Sequence, residues 1–349
     1  MNSGLSVGVV GATGAVGCEI LGLLLLRGWP IANLVAFGSS RSVGRTIKFG
    51  SKDVAIENFD SDHNLGLDII FFATDSAVSR RFAEKSASLS TLVIDNSSAF
   101  RMEPDVPLVI PEINLGVVRP DQWLIANPNC STIILLMAVA PLRIFGRIRR
   151  IVVSTYQSAS GAGRDAMVEL EESTRAYLKG EGFEPKVLPH PYAFNVFSHN
   201  SEIDGSGYNG EEVKMIHESR KILGDPEILV NPTCVRVPVL RSHSESITIE
   251  FEGPAPGIDE VRRALMEFSG VRVVDDRERN YFPMPNDANG AGDVLVGRIR
   301  QDASNRNAIS LFACGDQLLK GAALNAVQIA EGLFDRFGLE KYLLSASSS

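Results

Sequence analysis

The most restrictive stretch of the chain is "LSVGVVGATGAVGCEILGLLLL", residues 5–26, in which one apolar run turns through glycines at 8, 11, 14 and 17 into a second. A strand, a glycine-rich turn and a helix in that order open a parallel α/β layer whose first turn cradles a dinucleotide pyrophosphate. Gly11 suits the tight turn, Gly14 the approach of backbone to phosphate, and Gly17 the packing of helix on strand. Thr13, Gly14, Ala15 and Val16 then surround the phosphate at the helix N-terminus. The plainer reading is a strand-turn-helix with incidental glycines.

Further apolar runs, "NLVAFGS", "LDIIFFAT", "TLVIDNS" and "WLIANP", alternate with helical stretches up to residue 127, which predicts a parallel sheet. Beyond residue 128 the texture changes to a buried helix over 131–140, then "RIVVSTYQSAS", an acidic helix after Gly163, and strands around 234–240, 246–252 and 308–314. That mixture predicts an α+β domain with a mainly antiparallel sheet. The expected division is a Rossmann-like dinucleotide-binding domain over 1–127, a second domain over 128–315, and a C-terminal helix over 316–345, "GDQLLKGAALNAVQIAEGLFDRF", returning to the first; the tail "SASSS" reads as disordered.

With 44% hydrophobic and 22% charged residues, 349 residues suffice for two cored domains. A net charge of −8 leaves no general basic field for nucleic acid or anionic lipid, and "RIRR" at 147–150 reads as a solvated loop edge. Cys18, Cys130, Cys234 and Cys314 lack metal-ligand spacing, and a strand at the very N-terminus leaves no room for a secretory leader, so reduced cytoplasmic thiols are expected and no metal.

An NAD site places an acid at the end of the second strand to hold the ribose hydroxyls. Here that strand runs into "FGSSRSVGR", where Ser39, Arg41 and Ser42 offer hydroxyls and a guanidinium suited to a ribose 2′-phosphate. NADP is the expected cofactor; Arg41 and Arg45 as plain loop charges are the alternative.

In "IANPNCSTIILLMAVAPL" the turn residues Asn127, Pro128 and Asn129 precede a buried helix, so Cys130 falls at a helix N-terminus, where an anion is favoured. Most cysteines beside Ile and Leu are packing residues, and a nucleophile also needs partners. His243, at the end of a strand in "RVPVLRSHSESITIEFE", has the ordinary affinity for a proton that suits a general base toward the thiol; Arg236 lies upstream and Gln157 in "YQSASGAG" is an uncharged donor. Ser97, Ser98 and Arg101 of "NSSAFR" lie at the mouth of the fourth strand, where open α/β sheets bind ligands. Glu211 and Lys214, three apart on a helix, form either an anion-site pair or a surface ion pair.

Taken in order, "GATGAVG", "SSRSVG", "NSSAFR", "NPNCST", "YQSASGAG", "EEVKMIHESRKIL", "RVPVLRSHSE", "YFPMPNDA", "VGRIRQD" and "GDQLLKGAALNAVQIAE" resemble the aspartate-β-semialdehyde dehydrogenases, over about residues 5–335. The resemblance implies a catalytic and dimerisation role for the second domain and a homodimer or homotetramer. It implies reversible, NADP-dependent conversion of L-4-aspartyl phosphate to L-aspartate 4-semialdehyde and phosphate, a step toward lysine, threonine and methionine. It casts Cys130 as the acyl-thioester nucleophile, His243 as acid/base and Gln157 as the orienting residue. Arg236 would grip the substrate α-carboxylate and Glu211 the α-amino group; Arg101 and Lys214 would bind phosphate, with Asn129 supporting the nucleophile. Thr13 to Val16, Arg41, Ser42, Ser160, Gly161 and Gln317 would contact the cofactor. Phe197-Ser198-His199, where a Pro-Gln turn is usual, and Gln317, where Asn is common, depart from the pattern. N-acetyl-γ-glutamyl-phosphate reductases share the plan but differ around the glycines and the cysteine. A silent NADP-binding protein would not need Cys130, Gln157, Arg236 and His243 together, and a Cys-His hydrolase would leave the glycine turn unexplained.

Overall fold

The computed structural model describes residues 4–59 and 66–343; the tail "SASSS" lies outside them. The chain divides into two compact units, Met1–Pro128 with Ala322–Ser349, and Asn129–Gly321.

In the first unit the strands are β1 (Leu5–Val10), β2 (Ile31–Gly38), β3 (Thr46–Phe49), β4 (Lys52–Asn58), β5 (Ile69–Phe72), β6 (Leu92–Asp95) and β7 (Leu124–Ala126). They form one sheet in the order β3-β4-β2-β1-β5-β6-β7, parallel except for the β3–β4 pair. Every residue of β5 and β6 is buried, which explains why these strands read as unbroken apolar runs: a parallel sheet is covered on both faces. The helices are α1 (Ala15–Leu26), α2 (Ser76–Ser88), the single turn α3 (Pro111–Asn114) and, after the second unit, α9 (Leu324–Phe337), which packs on α1, α3 and β6. β3 and β4 escape the sequence reading because "TIKF" and "KDVAIEN" are short, polar and at the sheet edge, with one fully buried side chain between them, Ile56.

The second unit contains α4 (Cys130–Val139), β8 (Ile148–Gln157), α5 (Arg164–Lys179), β9 (Phe197–Ser198), α6 (Gly210–Leu223), β10 (Leu229–Arg236), β11 (His243–Phe251), α7 (Ile258–Glu267), β12 (Val271–Val273), α8 (Pro285–Ala288), β13 (Val294–Gln301) and β14 (Ala308–Gly315). Its sheet runs β12-β13-β14-β11-β8-β10-β9 and is mainly antiparallel, the β8–β10 and β12–β13 pairs being parallel. Every residue of α4 after Cys130 is buried, so this helix is apolar all round and lies inside the unit against β11, β13 and β14.

Two boundaries differ from expectation. The strand expected over 234–240 runs from 229 to 236, since Pro238 has no amide to continue a ladder. The helix expected from residue 316 starts with a π-helical turn at Leu319–Ala323 and becomes regular at Leu324, because Asp316 Oδ1 takes the Leu318 amide at 3.0 Å and holds a turn before it. Among the described residues, no helix is long and apolar enough to cross a membrane.

Candidate active site

Three neighbouring strands of the second sheet bring the chemical side chains to one end. Gln157 closes β8, Arg236 closes the parallel strand β10 opposite it, and His243 opens β11, whose next residue pairs with Tyr156. His243 was expected to end a strand; instead Ser242, at φ +76°, turns the chain just before it. The period-two alternation of strands puts all three side chains on the buried face, at 1%, 3% and 0% exposure.

Helix α4 begins at Cys130, as the Pro-Asn turn predicts. Asn129 is its N-cap, accepting from the amides of Ser131 at 3.0 Å and Thr132 at 3.2 Å. The same residue donates through Nδ2 to Glu211 at 2.8 Å and through its amide to Glu218 at 2.7 Å, which fixes the helix start. Cys130 is thus partly exposed at the positive end of a helix dipole, where negative charge is favoured. Burial pushes the Cys314 thiol up to about 12 and raises that of Cys234 as well, which marks these two as packing residues.

Helix α6 is started by Asn209, which forms a capping box with Glu212. One position on, Glu211 is buried and accepts from Asn129, from Lys214 at 3.2 Å and from Gln157 at 3.4 Å. Burial alone would raise its carboxyl, but the Lys214 ammonium beside it and the Asn129 hydrogen bond outweigh that and hold it at about 2. Gln157 Nε2 also reaches Ser131 Oγ at 3.0 Å, tying the nucleophile's helix to Glu211.

Arg236 is a buried guanidinium whose hydrogen-bond partners are all neutral: Asn200 Oδ1 at 3.3 Å, Ser158 O at 3.3 Å and His199 Nε2 at 2.9 Å. A buried cation without a counter-charge is costly, so this arrangement is suited to an incoming carboxylate. His199 is held down to about 4, by burial first and by Arg236, and so stays neutral and able to accept. His243 is held down to about 3, by burial and then by Arg236. Its Nδ1 accepts the Ser158 amide at 3.1 Å and lies 3.0 Å from Ser158 Oγ, while Nε2 is buried with no hydrogen-bond partner among the described residues.

Gly161, Ser160 and Gln317, expected at the cofactor, have other contacts here. A Cβ on Gly161 would sit 2.8 Å from His243 Cε1 and 3.1 Å from an Arg236 Nη1, so this glycine makes room for both side chains. Gln317 Oε1 accepts the Ser242 amide at 2.9 Å, and its Nε2 donates to Ser160 Oγ. Ser158, Ser131 and Asn200 were missed by sequence reasoning, adjacency to Gln157 and Cys130 being the only hint for the first two, and His199 was singled out only as part of a departure from the family pattern.

In the first unit, Gly11 has φ +81°, and a Cβ there would fall 2.2 Å from Ala73 O. A Cβ on Gly17 would likewise fall 2.2 Å from the Gly11 carbonyl oxygen. Gly14 is the N-cap of α1 and supplies no side-chain cap, so the first-turn amides at Ala15 and Val16 suit a phosphate, with Thr13 exposed beside them. These features fit a dinucleotide. Ser39 and Ser42 form the turn after β2, Ser42 N–H donating to Ser39 O at 2.8 Å, and Arg41 is exposed between them. Arg101 Nε donates to Asn127 O at 2.9 Å and Nη2 to Asn96 O at 2.8 Å, which fixes its guanidinium beyond the carboxyl ends of β6 and β7.

Residues 6–119 match the family model for the semialdehyde dehydrogenase NAD binding domain, and residues 139–320 that for the semialdehyde dehydrogenase dimerisation domain. The first unit thus carries a nicotinamide-dinucleotide-binding domain. The chain is 48% identical to the aspartate-semialdehyde dehydrogenase of Synechocystis sp., over 96% of this chain and 99% of that one, and 40% identical to that of Bacillus subtilis, over 95% and 98%. It superposes on aspartate semialdehyde dehydrogenase II from Vibrio cholerae complexed with ASA with a TM-score of 0.91 at 39% identity, covering 96% of this chain and 99% of that one. For the Candida albicans aspartate semialdehyde dehydrogenase with NADP the TM-score is 0.74 at 25% identity, over 95% and 98%. Near-complete coverage in both directions, together with the cysteine at a helix start and the buried Gln-Arg-His face, leads to one conclusion: the chain is an oxidoreductase belonging to the aspartate-semialdehyde dehydrogenase family.

Proposed function

We propose that the protein catalyses the reversible NADPH-dependent reduction of L-4-aspartyl phosphate to L-aspartate 4-semialdehyde and phosphate, through a thioester on Cys130, in the cytoplasmic synthesis of lysine, threonine and methionine. The observation that carries this reading is that the same unit holds a buried guanidinium, Arg236, with no ion-pair partner among the described residues, and a buried ionised carboxylate, Glu211. An α-amino acid presents the complementary charges, a carboxylate for Arg236 and an ammonium for Glu211.

Cys130 sulfur attacks the acyl carbon, the carbon–oxygen bond to phosphate breaks with its electron pair, and phosphate leaves toward Arg101 and Lys214. Asn129 keeps the helix start in place during attack, and Gln157 fixes the acyl group relative to Ser131 and Glu211. NADPH, when bound, supplies the hydride that reduces the thioester. The Cys130 amide and His243 serve the oxygen of the resulting hemithioacetal. Its collapse releases the aldehyde and regenerates the thiolate.

Gly11, Thr13, Gly14, Ala15 and Val16 would hold the pyrophosphate, and Ser39, Arg41 and Ser42 the 2′-phosphate. A homodimer or homotetramer through the second unit accords with its family match and with the partly exposed sheet face bearing Tyr156, Ser246, Thr248 and Phe312. The test is absorbance at the nicotinamide band with aspartate semialdehyde, phosphate and NADP, each omitted in turn. All three should be required; turnover that ignores phosphate would rule out the phosphorylating reaction.

A further inference from the structure

We propose that His199, braced by Ser201, is a positioning residue that aims the Arg236 guanidinium through a neutral hydrogen bond, so that Arg236 keeps its whole charge for the substrate α-carboxylate. This inference rests on the reading of Arg236 as the carboxylate anchor and specifies what holds that anchor in place.

The fold brings the two side chains together. β9 pairs antiparallel with β10, Phe197 opposite Arg236, and the His199 amide donates to Cys234 O at 2.9 Å. Residues 199 and 236 are therefore diagonal neighbours on one face of the sheet. A guanidinium has five N–H donors. Here Nε–H and one Nη2–H go to Asn200 Oδ1, each at 3.3 Å, the other Nη2–H to His199 Nε2 at 2.9 Å, and one Nη1–H to Ser158 O at 3.3 Å. Nη1 carries the remaining N–H, and Gly161 leaves space beside that nitrogen, since a Cβ there would come within 3.1 Å of it. His199 makes the shortest of the four bonds.

The far side of the His199 ring is fixed in turn. Nδ1 lies 3.0 Å from Ser201 Oγ, which also accepts the Glu211 amide at 3.1 Å and lies 3.5 Å from Oδ1 of Asn209, the N-cap of α6. The Arg236 cation can only donate and claims the Nε2 lone pair, so the ring proton is on Nδ1 and goes to Ser201. The neutral Ser201 amide, 3.2 Å from Nδ1, is the weaker competitor. Burial first, with Arg236 and Lys214, keeps the ring neutral against the pull of Glu211. One chain of contacts thus joins the cation for the α-carboxylate to the first turn of the helix that carries Glu211, the partner of the α-ammonium. A carboxylate at position 199 would also hold Arg236, but it would neutralise the charge before substrate arrived.

The test is steady-state kinetics of the full-length enzyme in the phosphorylating direction, with aspartate semialdehyde, phosphate and NADP each varied, beside thermal melts. Wild type is compared with His199→Ala, His199→Gln and His199→Glu. His199→Ala should raise the KM for aspartate semialdehyde by about tenfold, the worth of one hydrogen bond to a charged group, with kcat and the KM for NADP within about threefold of wild type. His199→Gln offers Arg236 a neutral oxygen and should recover most of that loss. His199→Glu has the same shape but adds a negative charge, and should raise the same KM by about a hundredfold. A merely structural role would give the three variants one common defect spread over all three substrates, and that result overturns the proposal. So does a glutamate variant no worse than alanine, or a glutamine variant no better. Folded variants that all share the wild-type KM overturn it too, and leave the reading of the reaction intact. A wild type without phosphate-dependent turnover of aspartate semialdehyde overturns both, since Arg236 would then have no α-carboxylate to hold.

Discussion

Replacing Gly161 by Ala tests the site geometry with a single methyl group. The backbone at 161 is not in the left-handed region, so alanine incurs no conformational strain there, and the whole effect comes from contact. The new Cβ would lie 2.8 Å from His243 Cε1, 2.9 Å from Nε2 and 3.1 Å from Arg236 Nη1. Carbon atoms rest at about 3.5 Å or more, so the imidazole must retreat by roughly 0.7 Å, and the guanidinium by less. Both groups are buried, with little room to yield. Overpacking of this kind costs about 1–3 kcal/mol of stability, which for a unit of this size lowers Tm by roughly 2–4 °C per kcal/mol. A misplacement approaching 1 Å in a catalytic constellation costs on the order of 10²-fold in rate. Gly161→Ala is therefore expected to fold, to lose about 10²-fold in kcat/KM for aspartate semialdehyde, and to keep its affinity for NADP. Steady-state kinetics with both substrates varied, beside a thermal melt, separate these effects. A folded variant within about twofold of wild type would show that the His243 and Arg236 positions are not critical. A loss confined to the cofactor KM would restore Gly161 to the cofactor contact that family resemblance implies.

Three further outcomes follow from named side chains. Cys130→Ala should lower phosphate-dependent NADP reduction by about 10⁴-fold or more while cofactor affinity, measured by fluorescence titration, stays within about twofold; retained turnover would refute the thioester. Arg41→Ala should raise the KM for NADP by roughly tenfold to a hundredfold, the worth of one charged hydrogen bond, and leave NAD kinetics unchanged; equal losses would remove the 2′-phosphate role. Glu245, on the same strand face as His243, has both carboxyl oxygens buried without a hydrogen-bond partner among the described residues, and burial raises its carboxyl well above the ordinary 4.5. Its folded pKa exceeds its unfolded one, so its contribution to stability is complete below about pH 4.5 and is lost as pH rises toward the folded value. Glu245→Gln, which cannot ionise, should flatten the decline in Tm between about pH 5 and 8; parallel profiles for the two proteins would show that Glu245 is not a neutral acid in the folded state.

Strands β1, β2, β5, β6 and β7, the glycine turn and the start of α4 were all legible in the sequence, because each depends on residues close in the chain. Apolar runs mark strands covered on both faces, Gly11 and Gly17 stand where a Cβ has no space, and Pro128-Asn129 announces a helix cap. The β3–β4 hairpin was not legible, since edge strands with a wet face carry little apolar signal. The candidate residues were legible as types, and Cys130, Gln157, Glu211, Lys214, Arg236 and His243 all fall in the second unit.

What the chain dictates by itself, then, is the inventory: two patterns of secondary structure, a nucleophile at a helix start, and a set of cations, hydroxyls and amides of the right chemistry. Only the tertiary structure decided how those groups are charged and protonated. Ser158 meets His243 across 85 positions, Asn129 meets Glu211 across 82, and Gln317 meets Ser160 across 157. Periodicity and capping are short-range properties and are blind to such contacts. The proton on a buried imidazole is placed by whichever donor arrives from elsewhere in the fold, and a buried guanidinium awaits a carboxylate when every neighbour the fold brings to it is neutral.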